Sequence, residues 1–113
     1  MSSFTASEIP VDQAIVLVCE GRLDITAAGV LEEKVAPILA RGATHLILDL
    51  AGVHYMSSAG LRSILVILKK THLTKGRMAL CGATAGVLQV LELSGFRGIL
   101  KNYPDRATAL RAD

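Results

Sequence analysis

Short apolar runs alternating with segments of helical period predict an α/β domain. The expected architecture is a mostly parallel β-sheet of about five strands with four helices, in the order β-β-α-β-α-β-α-β-α. Three observations carry this reading. Ala14 to Cys19 is a continuous apolar, β-branched run, as a buried strand requires. From Thr26 the apolar spacing changes to 3.6 residues. Strand-like and helix-like segments then alternate to the end, which calls for parallel strands joined by right-handed crossovers. At 113 residues, with no repeat or low-complexity linker, the chain reads as one domain spanning 1–113.

The elements follow in order. Phe4 to Pro10 is a weaker strand candidate, joined to Ala14–Cys19 by a hairpin turn at Asp12-Gln13. Glu20 to Asp24 breaks the apolar pattern. Ala27, Val30, Leu31, Val35, Ile38 and Leu39 fall on one helical face, with Asp24 or Thr26 as N-cap and Gly42 at the exit. Pro37 removes a backbone donor and predicts a kink between Glu33 and Pro37 in a single helix. His45 to Leu50 reads as a central strand buried on both faces, and Ala51 to Ser57 as a connecting loop. Ala59 to His72 is the second helix, Arg77 to Cys81 the next strand, and Thr84 to Leu93 the third helix, closed by Ser94-Gly95. A strand at Ile99 to Asn102 and a helix starting from Pro104 end the chain.

Composition narrows the function. Hydrophobic residues make up 51% of the chain and charged ones 19%, which argues against disorder. The apolar runs fall far short of the ~20 residues that span a bilayer, so no membrane insertion is expected. The first residues carry no basic stretch leading into a secretory core, which sets a cytoplasmic expectation. Net charge is +2 and the basic residues are scattered, so no direct nucleic-acid contact is expected. Cys19 and Cys81 lie inside apolar runs, outside any CxxC or metal-ligand spacing, and read as small buried hydrophobes. No metal and no cofactor is called for. Neither GxGxxG nor GxxxxGK[ST] occurs, and no GxSxG elbow is present. Ser58, His54 and Asp24 could be assembled into a triad on paper, but nothing in the sequence orients them.

One segment stands out, Asp49-Leu50-Ala51-Gly52-Val53-His54-Tyr55-Met56-Ser57-Ser58-Ala59-Gly60-Leu61-Arg62. It leads from a buried strand into a helix that opens at a pair of serines, the place where α/β sheets put their working groups. Its plainest role is structural, because Ser57 or Ser58 makes a good N-cap. The amides and dipole of a helix start favour an anion, so a phosphate on either serine would be tolerated electrostatically.

Leu46 to Leu68 resembles the core motif of STAS domains, specifically the anti-sigma factor antagonists of bacterial partner-switching systems. Their strand ends in Asp-Leu, and after a short Val-containing loop Asp-Ser-Ser/Thr-Gly-Leu opens a helix; here Ser57-Ser58-Ala59-Gly60-Leu61 stands in that place. Gly21-Arg22-Leu23-Asp24 resembles the family's Gly-x-Leu-Asp, and Ser94-Gly95-Phe96 its Gly-aromatic step after the third helix. The resemblance places the phosphorylated serine on Ser58, with Asp24, Ser57, Ala59, Gly60, Leu61 and Arg62 near the phosphosite or on the partner-binding face. The family's acidic residue before the phosphoserine is Ser57 here, leaving Asp24 as the remaining nearby carboxylate.

What the resemblance implies is a non-catalytic switch. The unphosphorylated protein binds an anti-sigma factor that is also a serine kinase of the histidine-kinase-like ATPase fold, and releases the kinase's other client. Phosphorylation of Ser58 ends the binding, and a metal-dependent serine phosphatase resets it. The alternative is a STAS accessory subunit of a lipid-transport ABC complex, which needs no phosphorylation. A small-molecule sensor would need a pocket that the sequence does not announce.

Overall fold

The computed structural model describes residues 4–112, folded as nine elements. They are β1 (Thr5–Val11), β2 (Ala14–Leu23), α1 (Ile25–Ala40), β3 (His45–Met56), α2 (Ser58–Leu73), β4 (Arg77–Cys81), α3 (Ala85–Ser94), β5 (Asn102–Tyr103) and α4 (Arg106–Arg111). The strands lie side by side in chain order, β1-β2-β3-β4-β5. β1 runs antiparallel to β2, and every later pairing is parallel. The expected order and the mostly parallel sheet are therefore present.

Chain order in the sheet dictates where the helices go. Three right-handed crossovers taken in the same direction put α1, α2 and α3 on one face. The strands show this by parity. Leu46, Leu48 and Leu50 point into a continuous core with Leu31, Ile38, Ile64, Ile67 and Leu91 from the three helices. Each such fully buried side chain stabilises the fold by about 1.5–3 kcal/mol relative to exposure. Ile47 and Cys81 point the other way, where α4 alone covers them with Ala109 and Leu110.

Four boundaries differ from the sequence expectation by two residues or more, each for a physical reason. The segment Ala51 to Ser57 is strand through Met56 and not a loop, and β2 continues through Leu23. The two lengthen together, pairing Glu20 with Gly52, Gly21 with Val53, Arg22 with Tyr55 and Leu23 with Met56 across two register shifts. Backbone pairing holds this extension, so it needs no apolar alternation. The last strand is Asn102–Tyr103 and not Ile99 to Asn102. The amides of Ile99 and Leu100 turn back to the Phe96 carbonyl at 3.1 and 2.9 Å, which keeps them out of the sheet. The last helix starts at Arg106, because Asp105 caps it by accepting from the Thr108 amide at 2.8 Å; Pro104 precedes the cap.

α1 runs as one helix through Pro37, whose carbonyl accepts from the Arg41 amide at 3.0 Å. Gly95 ends α3 at φ +81°, the left-handed C-cap that glycine adopts without a β-carbon penalty.

Candidate functional site

The carboxyl ends of β2, β3 and β4 each pass the chain to a helix, so three helix N-termini open along one edge of the sheet. Each is capped by a side chain that satisfies otherwise orphaned amides. Asp24, and not Thr26, caps α1, its Oδ1 accepting from the Thr26 and Ala27 amides at 3.1 Å each. Ser57 caps α2, with Oγ accepting from the Gly60 amide at 3.2 Å. Thr84 caps α3, and its hydroxyl donates to the Val53 carbonyl at 3.0 Å, tying α3 to the extended arm of β3.

β2 and α2 meet at one oxygen. The Ser57 amide donates to the Leu23 carbonyl at 3.0 Å, and its hydroxyl reaches the same atom at 3.5 Å. A β-carbon on Gly60 would stand 2.2 Å from that oxygen, so only glycine permits this approach. The contact sets Asp24, the residue after Leu23, beside the start of α2. The motif residues Asp24, Ser57 and Gly60 thus build the junction itself. Serine is as good an N-cap as aspartate, which explains why the fold accepts Ser57 where the related motif has an acid.

Ser58 differs from its neighbours. It is the first residue of α2, exposed, and no hydrogen bond to its hydroxyl is formed among the described residues. Ser63, the next serine along, is buried and donates to the Ala28 carbonyl at 3.1 Å, stitching α2 to α1. Ala59 is half-buried and Leu61 buried, while Arg62 is exposed and makes no ion pair among the described residues. Ser58 and Arg62 stand at the rim of a shallow apolar recess between α2 and α3, walled by Leu61, Leu65, Val90, Leu93 and Phe96. Ile25 and Leu93 are among the most exposed apolar side chains of the molecule. Close by along the β2–β3 arm, the Arg22 guanidinium lies 4.1 Å from the Tyr55 ring centroid.

The structure brings Asp24, Ser57, Ser58, Gly60 and Arg62 to one edge of the sheet. It assembles no triad. Asp24 is engaged in capping, and no hydrogen bond joins Ser58, His54 and Asp24 among the described residues. Cys19 and Cys81 are free and lie on opposite faces of the sheet. Burial, then the charge of Asp49, pushes the Cys19 thiol up to about 12 and the Cys81 thiol up to about 11, so neither is a thiolate at neutral pH. No group of three or more metal-ligating side chains forms among the described residues, and none of their helices is long and apolar enough to cross a membrane.

One arrangement had no sequence signal. Asp49, from the motif strand, points to the α4 face and pairs with Arg106, while its Oδ1 accepts from the Ala51 amide at 3.0 Å. Nothing in the spacing of two residues so far apart announces their contact.

A chain-ordered sheet with three same-face helices and a serine pair at the β3–α2 junction is the architecture of a STAS domain. The STAS domain family matches residues 6–109, and the chain belongs to that family. Several of its relatives carry the name of anti-sigma factor antagonists. The Bordetella bronchiseptica (strain RB50) protein BtrV, named as an anti-sigma factor antagonist, is 31% identical over 102 residues, covering 90% of this chain and 88% of its own. TM1081 of Thermotoga maritima, likewise named as an anti-sigma factor antagonist, shares the fold at a TM-score of 0.87 and 27% identity, over 93% of this chain and 91% of its own. The Bacillus cell fate determinant SpoIIAA, solved in its phosphorylated form, superposes at a TM-score of 0.72 and 20% identity, covering 96% of both chains, and there the likeness is of fold alone.

Proposed function

We propose that this protein is an anti-sigma factor antagonist that works as a phosphorylatable binding switch, with Ser58 as acceptor. The observation that carries the reading is the contrast between three serines. Ser57 is committed to capping, Ser63 is buried and bonded, and Ser58 alone of the three presents an unbonded hydroxyl to a partner. A helix start also favours the phosphate once it is made.

The partner in this reading is a cytoplasmic anti-sigma factor with serine kinase activity and a histidine-kinase-like ATPase fold. It supplies ATP and the catalytic groups, while this chain supplies the hydroxyl and a docking face. That face comprises Asp24, Ser57, Ala59, Gly60, Leu61 and Arg62, with the neighbouring exposed Ile25 and the apolar recess. A phosphate adds about −1.5 to −2 charges to a face that must be desolvated on binding. A cost of about 3 kcal/mol is a factor of roughly a hundred in affinity. A metal-dependent serine phosphatase restores the binding form.

Mass spectrometry after incubation with the cognate kinase and ATP tests the acceptor. A single phosphate should map to Ser58 and be absent from Ser58→Ala, which should still bind the kinase. Phosphate mapped to Ser57 or Ser63 would overturn the assignment.

A further inference from the structure

We propose that Arg62 is the internal counter-ion of a phosphate on Ser58, so that modification withdraws a cation from the docking face as it adds an anion. The inference deepens the switch reading and rests on it for Ser58 as the acceptor.

Four observations lead to it. Ser58 and Arg62 lie four residues apart on α2, and residues at that spacing are neighbours with β-carbons about 5–6 Å apart. Side chains of a helix lean toward its N-terminus, so Arg62 reaches back over the turn that begins at Ser58. Both residues border the same recess between α2 and α3. Finally, Arg62 is uncommitted, whereas several other arginines are engaged: Arg41 with Glu8, Arg97 with Glu92, Arg106 with Asp49, and Arg22 over Tyr55. No other Lys or Arg occupies the first two turns of α2, residues 58–65.

The chemistry fits. Guanidinium offers a planar fork of donors that matches a phosphate bidentately, and a dianion attracts it more strongly than a carboxylate would. Without phosphate, nothing draws Arg62 toward Ser58, and the guanidinium is free to meet an acidic group of the partner across the recess. With phosphate, the guanidinium is drawn back along α2 to position 58 and is no longer available to the partner. Phosphorylation then costs the complex twice, through an added anion and a removed cation. Without Arg62 only the first cost would remain.

The test places phosphoserine at position 58 during translation, so that it does not depend on the cognate kinase. Phosphorus NMR then follows the phosphate's second ionisation, which lies near pH 6 when unperturbed. With Arg62 present the midpoint should be lower than in Arg62→Gln by on the order of half a pH unit, and the gap should shrink as salt is raised. Arg41→Gln, which removes a distant cation, should leave the midpoint in place. Equal midpoints with and without Arg62 would overturn the pairing, whether or not a kinase is later shown to label Ser58. A separate titration against the partner kinase reads the consequence. Arg62→Gln should weaken the unmodified complex and reduce the fold-difference between unmodified and phosphorylated protein. An unchanged ratio would contradict the proposed withdrawal of a cation.

Discussion

Asp49 and Ser58 belong to one strand-to-helix unit, yet the molecule uses them in opposite ways. Asp49 is turned to the α4 face with its side chain only 9% exposed, and it is held by Arg106 and the Ala51 amide. Ser58 faces outward at the start of α2 with its hydroxyl unbonded. A buried carboxylate without partners would be costly, so Asp49 is tied at both oxygens and serves the fold. An exposed hydroxyl costs nothing to leave free, so Ser58 remains available for chemistry supplied from outside. The difference divides the motif's polar residues by bonding: Asp49 and Ser57 hold the shape through their hydrogen bonds, while the Ser58 hydroxyl is left free for the proposed switch.

Substitutions along this unit should therefore rank by what each residue is bonded to. Asp49→Ala should have the largest effect on stability. It leaves Arg106 without its partner and frees the Ala51 amide, but Arg106 is 45% exposed and water can take over part of its hydration. We expect a loss of about 2 kcal/mol, less than for a fully buried pair. Loosening of α4 should also make Cys81 more reactive to thiol reagents while leaving kinase labelling of Ser58 intact. Unchanged stability in urea would mean that the α4 face is held by apolar contacts alone.

Ser57→Ala comes next. It removes the cap of α2, and the expected cost is about 1 kcal/mol, read as a shift in the urea midpoint. Ser57→Asp should recover most of it, since either side chain can accept from the Gly60 amide. Failure of the aspartate to rescue would show that the hydroxyl's contact with the Leu23 carbonyl is the part that matters. Smallest of all is Ser58→Ala, which should lie within about 0.5 kcal/mol of wild type, as for an exposed residue with no partner to lose. A clearly larger loss would mean that Ser58 supports the fold, and the comparison with Asp49 would collapse.

Much of this was legible in the sequence, and the exceptions have a common cause. Apolar period located β2, α1, β3, α2, β4 and α3, and the alternation of strand and helix gave the parallel sheet. Serine marked the α2 junction because its role there is local, a cap three residues from its donor, and Gly60 was legible through the motif although the carbonyl it approaches belongs to the distant Leu23. What the pattern missed depends on partners distant in sequence. Glu20, Arg22 and His54 carry no strand periodicity, and they are extended only because β2 and β3 pair beyond their apolar cores. Ile99 is apolar and strand-like, yet its amide is taken by Phe96 and the strand forms later. Asp49 is legible in the sequence as part of the Asp-Leu step that ends the strand, but its partner is not, because Arg106 lies on α4.

The central claim is that the switch acts on binding and leaves the fold in place, and Ser58→Glu tests it most directly. A negative charge at the exposed start of α2 contributes about 0.3 to 1 kcal/mol of stability through the helix dipole. Solvent screens both the repulsion from Asp24 and the attraction to Arg62, so neither changes the sum by more than about 0.5 kcal/mol. Thermal melting and titration against the partner kinase should be run on the same preparations of wild type, Ser58→Ala and Ser58→Glu. The account predicts three similar melting points, with binding retained by wild type and Ser58→Ala and lost by Ser58→Glu. A melting point for Ser58→Glu far below wild type, with the lost binding matched by the unfolded fraction, would contradict it.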